Sequence, residues 1–262
     1  VRARTPAIVI TRDRVTYAKR CVDALVDAGC SVHIVDHEST WPEMVEWLAR
    51  VDFPVYHVPN EIPRKLWDWS GLRDIACSGR YIVTDPDVVP QASCPRDWVR
   101  HLHSVLDENP GWLKVGLGLR IDDLPDYYSQ AEKVREWEQQ YWNQPINNGA
   151  LFMAPVDTTL ALYRSLDACD QFRLVPALRT QRPYLARHLT WYEDDQNPTP
   201  EIRYYREHAE VGISHWLNPD EYTRPIDTTA RSVIAKEYSL PRGDWELLTR
   251  QESLDSSAPD SA

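Results

Sequence analysis

Several signatures are missing from this sequence, and each absence removes a class of protein. No apolar run approaches the roughly 20 residues that span a bilayer. The apolar stretch after Pro6 is too short for a signal peptide, so a cytoplasmic protein with no membrane span is expected. Five cysteines (Cys21, Cys30, Cys77, Cys94, Cys169) are odd in number, far apart and without a C-x-x-C pair, which argues against a disulfide framework or a zinc cage and for buried free thiols. The dinucleotide fingerprint G-x-G-x-x-G is absent where a first strand would present it, because Thr11-Arg12-Asp13-Arg14 stands there. A Walker loop, H-E-x-x-H and G-x-S-x-G are absent too. Basic charge is also short: 29 Lys and Arg against 40 Asp and Glu leave −11, a field that repels duplex nucleic acid and anionic membranes. A phosphate bridged by a metal ion is not excluded by that field.

What is present belongs to an ordinary globular protein, with 42% hydrophobic and 26% charged residues, and 262 residues are within reach of one large α/β domain. The first half alternates short apolar runs with longer amphipathic ones, the pattern of βαβ units. Strands are expected at 7–11, 31–36, 55–58 and 80–84, with helices at 17–28, 42–49 and 66–76 between them. The fold class is therefore α/β, with a mostly parallel central sheet flanked by helices. Beyond it, strands at 113–121, 150–153 and 175–179 and helices at 130–142 and 158–166 are expected, and Gly116 and Gly118 mark a close backbone approach. The organisation is read as a main domain over 1–223, split into a first half at 1–112 and a second at 113–223. An extension at 224–250 and a disordered tail at 251–262 follow.

Ligands of such a sheet bind beyond the carboxyl ends of its strands. Those ends are polar here: Thr11-Arg12-Asp13, Asp36-His37-Glu38-Ser39, Asn60-Glu61 and Asp85-Pro86-Asp87. The last is an Asp-x-Asp directly after an apolar strand, stiffened by Pro86 and Pro90. Two carboxylates in that position suit a hard divalent cation such as Mg²⁺ or Mn²⁺, which keeps open positions for phosphate oxygens.

The run Tyr81 to Pro90, Cys94-Pro95 and Lys114 to Asp126 resembles bacterial and phage glycosyltransferases of the GT-A fold, close to the family-two type. The stretches Leu66-Trp67, Trp137-Glu138, Tyr141-Trp142, Val156 to Arg164 and Tyr184 to Tyr192 extend the likeness over roughly residues 6 to 217. The resemblance implies transfer of a sugar from a nucleotide-diphosphate donor to an acceptor hydroxyl, with Mn²⁺ or Mg²⁺ bridging the diphosphate to the Asp-x-Asp. It implies a donor pocket of Thr11, Arg12, Asp36, Asn60, Trp67 and Asp85, although Asp36 is also placed to cap the next helix. It implies metal ligation by Asp85, Asp87 and a histidine from the later chain, His215 first and His208 second. For the base that takes the acceptor proton it points to Glu193-Asp194, Asp194 before Glu193, with Asp157 as the runner-up or simply an N-cap. Asp122, Asp123, His188 and Trp191 are then assigned to sugar or acceptor, and Trp216 beside His215 to the same region. Stereochemical outcome and the identity of the acceptor, whether glycan, small molecule, protein or modified nucleobase, are left open. Two other readings stand beside this one: a nucleotidyltransferase, for which Arg12, Arg14 and Lys19 would supply a triphosphate pocket, and a nucleotide-sugar-binding module without turnover.

Overall fold

The computed structural model describes residues 4–60, 69–156, 158–165 and 177–209. Expectations that fall on Glu61, Trp67, Asp157, His215 and Trp216, and on 224–262, lie outside the described residues. The chain runs β1 (Pro6–Thr11), α1 (Val15–Asp27), β2 (Ser31–His37), α2 (Pro42–Leu48), β3 (Val55–Val58), α3 (Ser70–Cys77) and β4 (Tyr81–Thr84). These first elements match the expected alternation to within a few residues. Then come β5 (Val88–Pro90), α4 (Trp98–Glu108), β6 (Lys114–Gly116), β7 (Gly118–Leu119), α5 (Ala131–Gln139), β8 (Pro145–Ile146), β9 (Leu151–Met153), β10 (Ala161–Tyr163), β11 (Ala177–Thr180), β12 (Leu185–His188) and α6 (Pro200–His208).

Nine strands form one sheet in the order β3-β2-β1-β4-β10-β6-β11-β9-β8, and β5-β12-β7 form a second, smaller one. The longest ladders, β1 with β2 and β2 with β3, are parallel, as is β1 with β4. Antiparallel pairs enter from β10 onward. The large sheet is thus mostly parallel and flanked by helices, the class the sequence pattern implies. Residues of β1 explain the layering: Ala7 and Val9 face one core with Ala18, Cys21, Val22 and Leu25 of α1 and Leu102 and Leu106 of α4. Ile8 and Ile10 face the other, with Leu72 and Ala76 of α3 and Tyr81, Val83 and Tyr163. A strand covered on both sides reads as a continuous apolar run because successive side chains alternate between faces. Each large aliphatic side chain so enclosed contributes about 1.5–3 kcal/mol.

Two expectations in the second half are corrected. The segment 158–166, read as a helix, supplies strand β10, antiparallel between β4 and β6, with Ala161, Leu162 and Tyr163 all buried. Three apolar residues in a row fit either element, and burial between two strands decides it; Leu160 turns into the strand at φ 48°. The single strand read at 113–121 is divided at Leu117 between the two sheets, β6 in the large and β7 in the small. The close approach foreseen at the two glycines is real. A Cβ on Gly118 would lie 2.5 Å from the Thr180 carbonyl oxygen and 2.6 Å from the Trp142 ring. The helical residues 140–142 at the end of the expected 130–142 helix continue α5 as a 3₁₀ turn.

Five elements have no counterpart in the sequence reading: β5, α4, β8, β12 and α6. A signal existed for two of them. Trp98, Leu102, Val105 and Leu106 recur with helical spacing along α4. Thr199 caps α6 by accepting from the Ile202 N–H at 3.3 Å, with Pro200 following at the first helical position. Among the described residues no helix is long and apolar enough to cross a membrane.

Candidate active site

Parallel register brings the polar strand ends together. Thr11 pairs with Asp36 and Asp36 with His57, while Val9 pairs with Thr84, so the loops after β1, β2, β3 and β4 share one rim. The rim is clasped by Asp13, whose carboxylate accepts from the Thr40 and Trp41 N–H groups at 2.5 and 2.7 Å, and whose own N–H donates to Ser39 Oγ. Asp13 adopts φ 54°, a left-handed turn that aspartate tolerates better than most residues.

Asp87 is the centre of the arrangement. It is 2% exposed, its Oδ2 receives the Arg14 guanidinium at 2.6 Å, and its Oδ1 is buried with no hydrogen-bond partner. Its carbonyl accepts from Leu189 N–H at 2.6 Å, which ties the end of β12 to the turn. Burial alone would raise the Asp87 pKa; Arg14 and then His188 outweigh it and hold the carboxyl below its ordinary range. Arg14 is likewise opposed by burial but stays charged because Asp87, Tyr205, Asp85 and Glu193 surround it. Its guanidinium lies over the Tyr205 ring at 4.3 Å.

Asp85 is turned toward the neighbouring loop, its Oδ2 accepting from Thr158 Oγ1 at 2.7 Å and its N–H donating to the Thr158 carbonyl. His188, also buried, has its Nδ1 2.6 Å from Thr190 Oγ1 and 3.9 Å from Asp87 Oδ2, and its ring stacks on Trp191 at 4.7 Å. Burial lowers its pKa against the pull of Asp87.

The two acids expected as base occupy different surroundings. Glu193 faces inward: Tyr17 O–H donates to its Oε1, Arg206 lies 3.4 Å from Oε2, and burial raises its pKa despite both. Asp194 faces solvent and folds onto its own loop, accepting from Gln196 N–H, Asn197 N–H and Asn197 Nδ2, contacts with Asn197 that lower its pKa. Asp122 and Asp123 are also engaged. Arg120 and Arg182 hold Asp122, and Arg120, Arg187 and Tyr192 hold Asp123.

On the first-half rim, Thr11 is 2% exposed and its Oγ1 has no hydrogen-bond partner. Asp36 accepts from Ser39 N–H at 3.2 Å and lies 3.0 Å from His57 Nδ1, so it secures its own loop; α2 begins after Trp41 without a side-chain cap. Asn60 donates its N–H to Glu38, and its buried Nδ2 has no partner. Arg12 lies 3.6 Å from Asp13 and reaches the His208 carbonyl at 3.4 Å. His208 stacks on Tyr204 at the exposed end of α6. Helix α6 crosses this rim: Glu201 accepts from Thr16 N–H, Tyr204 donates to Thr40 Oγ1, and Tyr205 covers Arg14.

Asp87, Asp85, His188, Glu193 and Trp191 are therefore gathered in one place, with Thr11 and Asp36 on the adjoining rim. Tyr17 and Tyr205 escaped the sequence reading as site residues, and Arg14 entered it only in the nucleotidyltransferase reading, because nothing local marks them as partners of Asp87. Only the packing of α6 and of the start of α1 against Asp87 does. The donor set does not fit a divalent ion held between the two aspartates. One Asp87 oxygen carries Arg14, Asp85 is bonded to Thr158, and among the described residues no three His, Cys, Asp or Glu are grouped to hold a metal.

No protein-family model matches the chain, and no curated protein does. Among solved structures, S. aureus TarS residues 1–349 is similar at a TM-score of 0.44 and 11% identity, covering 71% of this chain and 60% of that one. Glucosyl-3-phosphoglycerate synthase from Mycobacterium tuberculosis, solved with Mn²⁺ and uridine-diphosphate-glucose, is similar at 0.30 and 14%, over 62% of this chain and 56% of that one. UDP-glucose pyrophosphorylase from Acinetobacter baumanii is similar at 0.39 and 12%, over 80% and 96%. Overlaps this partial carry no functional information of their own.

Proposed function

We propose that the chain is a glycosyltransferase that moves a sugar from a nucleotide-diphosphate donor to an acceptor hydroxyl. The observation that carries the reading is Asp87: a buried, charged carboxylate at the end of β4, one oxygen unpartnered, on the rim where the loops of four strands meet. Buried polar atoms without partners are rare in folded proteins, and a cluster of them at a strand-end crevice marks a ligand site. Thr11, Arg12, Asp36, Asn60, Asp85 and Trp67 are proposed for the nucleotide sugar. His188, Trp191, Asp122 and Asp123 are proposed for the sugar and acceptor side.

Glu193 is the proposed base. It points toward the Asp87 cluster, and burial raises its pKa, which makes its carboxylate a stronger base. Asp194, turned to solvent, supports the loop that aims Glu193. Asp157 stands behind Glu193 as the alternative base the resemblance implies, and the metal-ligand role it implies for His215 would apply only where a divalent ion accompanies the donor. The counter-charge of the diphosphate need not be Mn²⁺ or Mg²⁺ alone, because Arg14 already stands on Asp87. The nucleotidyltransferase reading is less well supported, since it needs Lys19 beside Arg12 and Arg14 on a triphosphate, and Lys19 is an exposed residue of α1.

The test is consumption of a panel of UDP-, GDP-, dTDP-, CDP- and ADP-linked sugars by the purified chain, beside an Asp87→Asn variant of matched circular dichroism. The expected result is turnover of one donor by the native chain and none by the variant. Equal turnover by both proteins overturns the assignment. Donor binding without turnover supports the binding module instead.

A further inference from the structure

We propose that Arg14 is the resident cation of the Asp85-Pro86-Asp87 turn, and that its remaining N–H groups receive the donor's diphosphate, so that nucleotide binding does not require a divalent ion. This rests on the reading of the rim as a nucleotide-sugar site and specifies how the diphosphate is recognised there.

Three observations carry it. The first is occupancy of Asp87 by Arg14 at 2.6 Å, with the two side chains 15% and 3% exposed. A divalent ion on the other oxygen would sit beside a like charge in a low-dielectric setting, where repulsion is strong. The second is orientation. Arg14 precedes α1, its carbonyl accepts from Ala18 N–H at 3.0 Å, and its guanidinium plane lies over Tyr205 at 4.3 Å, so the fork is held rather than swinging in solvent. The third is an unused donor: Arg14 Nε is buried with no hydrogen-bond partner, and so are Thr11 Oγ1 on the same rim and Asp87 Oδ1 beside it. A guanidinium with one edge on a carboxylate and another N–H unspent matches the planar oxygen pairs of a phosphate. The alternatives nearby are committed elsewhere, Asp85 to Thr158 and His188 to Thr190. The positive charge at this point also answers how a diphosphate approaches a chain of net charge −11.

The experiment titrates UDP, GDP, ADP, CDP and dTDP into the native chain by calorimetry, once in EDTA and once in Mn²⁺, and follows Mn²⁺ itself by electron paramagnetic resonance. One diphosphate is expected to bind in EDTA within about threefold of its affinity in Mn²⁺. Arg14→Gln should weaken that binding about tenfold or more, as loss of a charge-assisted pair does. The same variant should bind Mn²⁺ more tightly than the native chain, because it leaves Asp87 uncompensated; a variant that is merely damaged gains no such affinity. Arg14→Lys keeps the charge without the fork and should fall between the two, which decides the matter if Arg14→Gln fails to fold. Binding seen only with Mn²⁺, or unchanged in Arg14→Gln, overturns this inference and leaves the transferase reading standing. No diphosphate binding in either condition overturns both.

Discussion

The two halves of the molecule use their apolar residues differently. From β1 to β4 the chain builds parallel strands joined by helices, β2 pairing with its sequence neighbours β1 and β3 and β4 returning to β1. From β5 onward the pairing mixes directions and crosses between sheets: β10 inserts antiparallel between β4 and β6, β11 joins β6 in parallel, and β12 pairs with β5 and β7. The first half presents a rim of polar loops, and the second half closes it, since His188, Glu193 and Tyr205 all reach Asp87 or Arg14 from beyond residue 185. A scaffold legible from local periodicity is thus completed by parts whose positions depend on long-range pairing.

Substitutions can separate these contributions, and the largest effect is expected where the halves meet. Asp87→Asn should lower kcat for sugar transfer on the order of 10³-fold, the scale of losing a central electrostatic group, as read in a steady-state assay. Next comes the buried pair of the second half, in which Arg179 lies 2.7 Å from Glu138 and over the Tyr141 ring. Arg179→Met alone should cost about 3–5 kcal/mol in urea unfolding, and Arg179→Met with Glu138→Leu should recover most of that loss. If the double variant is no more stable than the single, the pair is not what joins α5 to β11.

Glu193→Gln should reduce kcat about 10²-fold with little change in donor affinity, whereas Asp194→Asn should stay close to the native rate. Comparable losses in both would return the base assignment to the pair as a whole. The pH profile sharpens this further. A base must be deprotonated, so activity should fall as pH drops through the raised pKa of Glu193. Tyr17→Phe removes a hydrogen bond that lowers that pKa, so the acidic limb should move to higher pH.

Gly118→Ala drives a Cβ against the Thr180 carbonyl and the Trp142 ring, and should cost about 1–3 kcal/mol by thermal unfolding. The smallest effect is expected in the first half's surface. Arg50→Ala removes an exposed i,i+4 pair with Glu46 and should shift stability by about 0.5 kcal/mol or less.

How much was legible follows the same division. β1, α1, β2, α2, β3 and β4 are placed closely by periodicity because burial on both sheet faces leaves its mark along each strand. The segment 158–166 misled because three apolar residues carry no period, and the strand at 113–121 misled because its two glycines sit at a junction between sheets. The Asp85-Pro86-Asp87 motif was visible as a motif, but its ion pair with Arg14 was not, since 73 residues separate the partners. Asp122 and Asp123 looked available for hydroxyl groups, yet three arginines and Tyr192 hold them.

By itself the amino-acid sequence determined the alternation of apolar strands and amphipathic helices in the first half, the acidity of the chain and the polar character of the strand-end loops. Those are properties of neighbours along the chain, set by side-chain periodicity and charge. Only the tertiary structure decided which acids face inward and which cation meets them. Glu193 and Asp194 are adjacent residues of similar chemistry, but one is buried against Tyr17 and Arg206 and the other is solvated on its own turn. Burial, and the company a charge keeps once water is removed, cannot be written in local sequence because both depend on segments folded together from opposite ends of the chain.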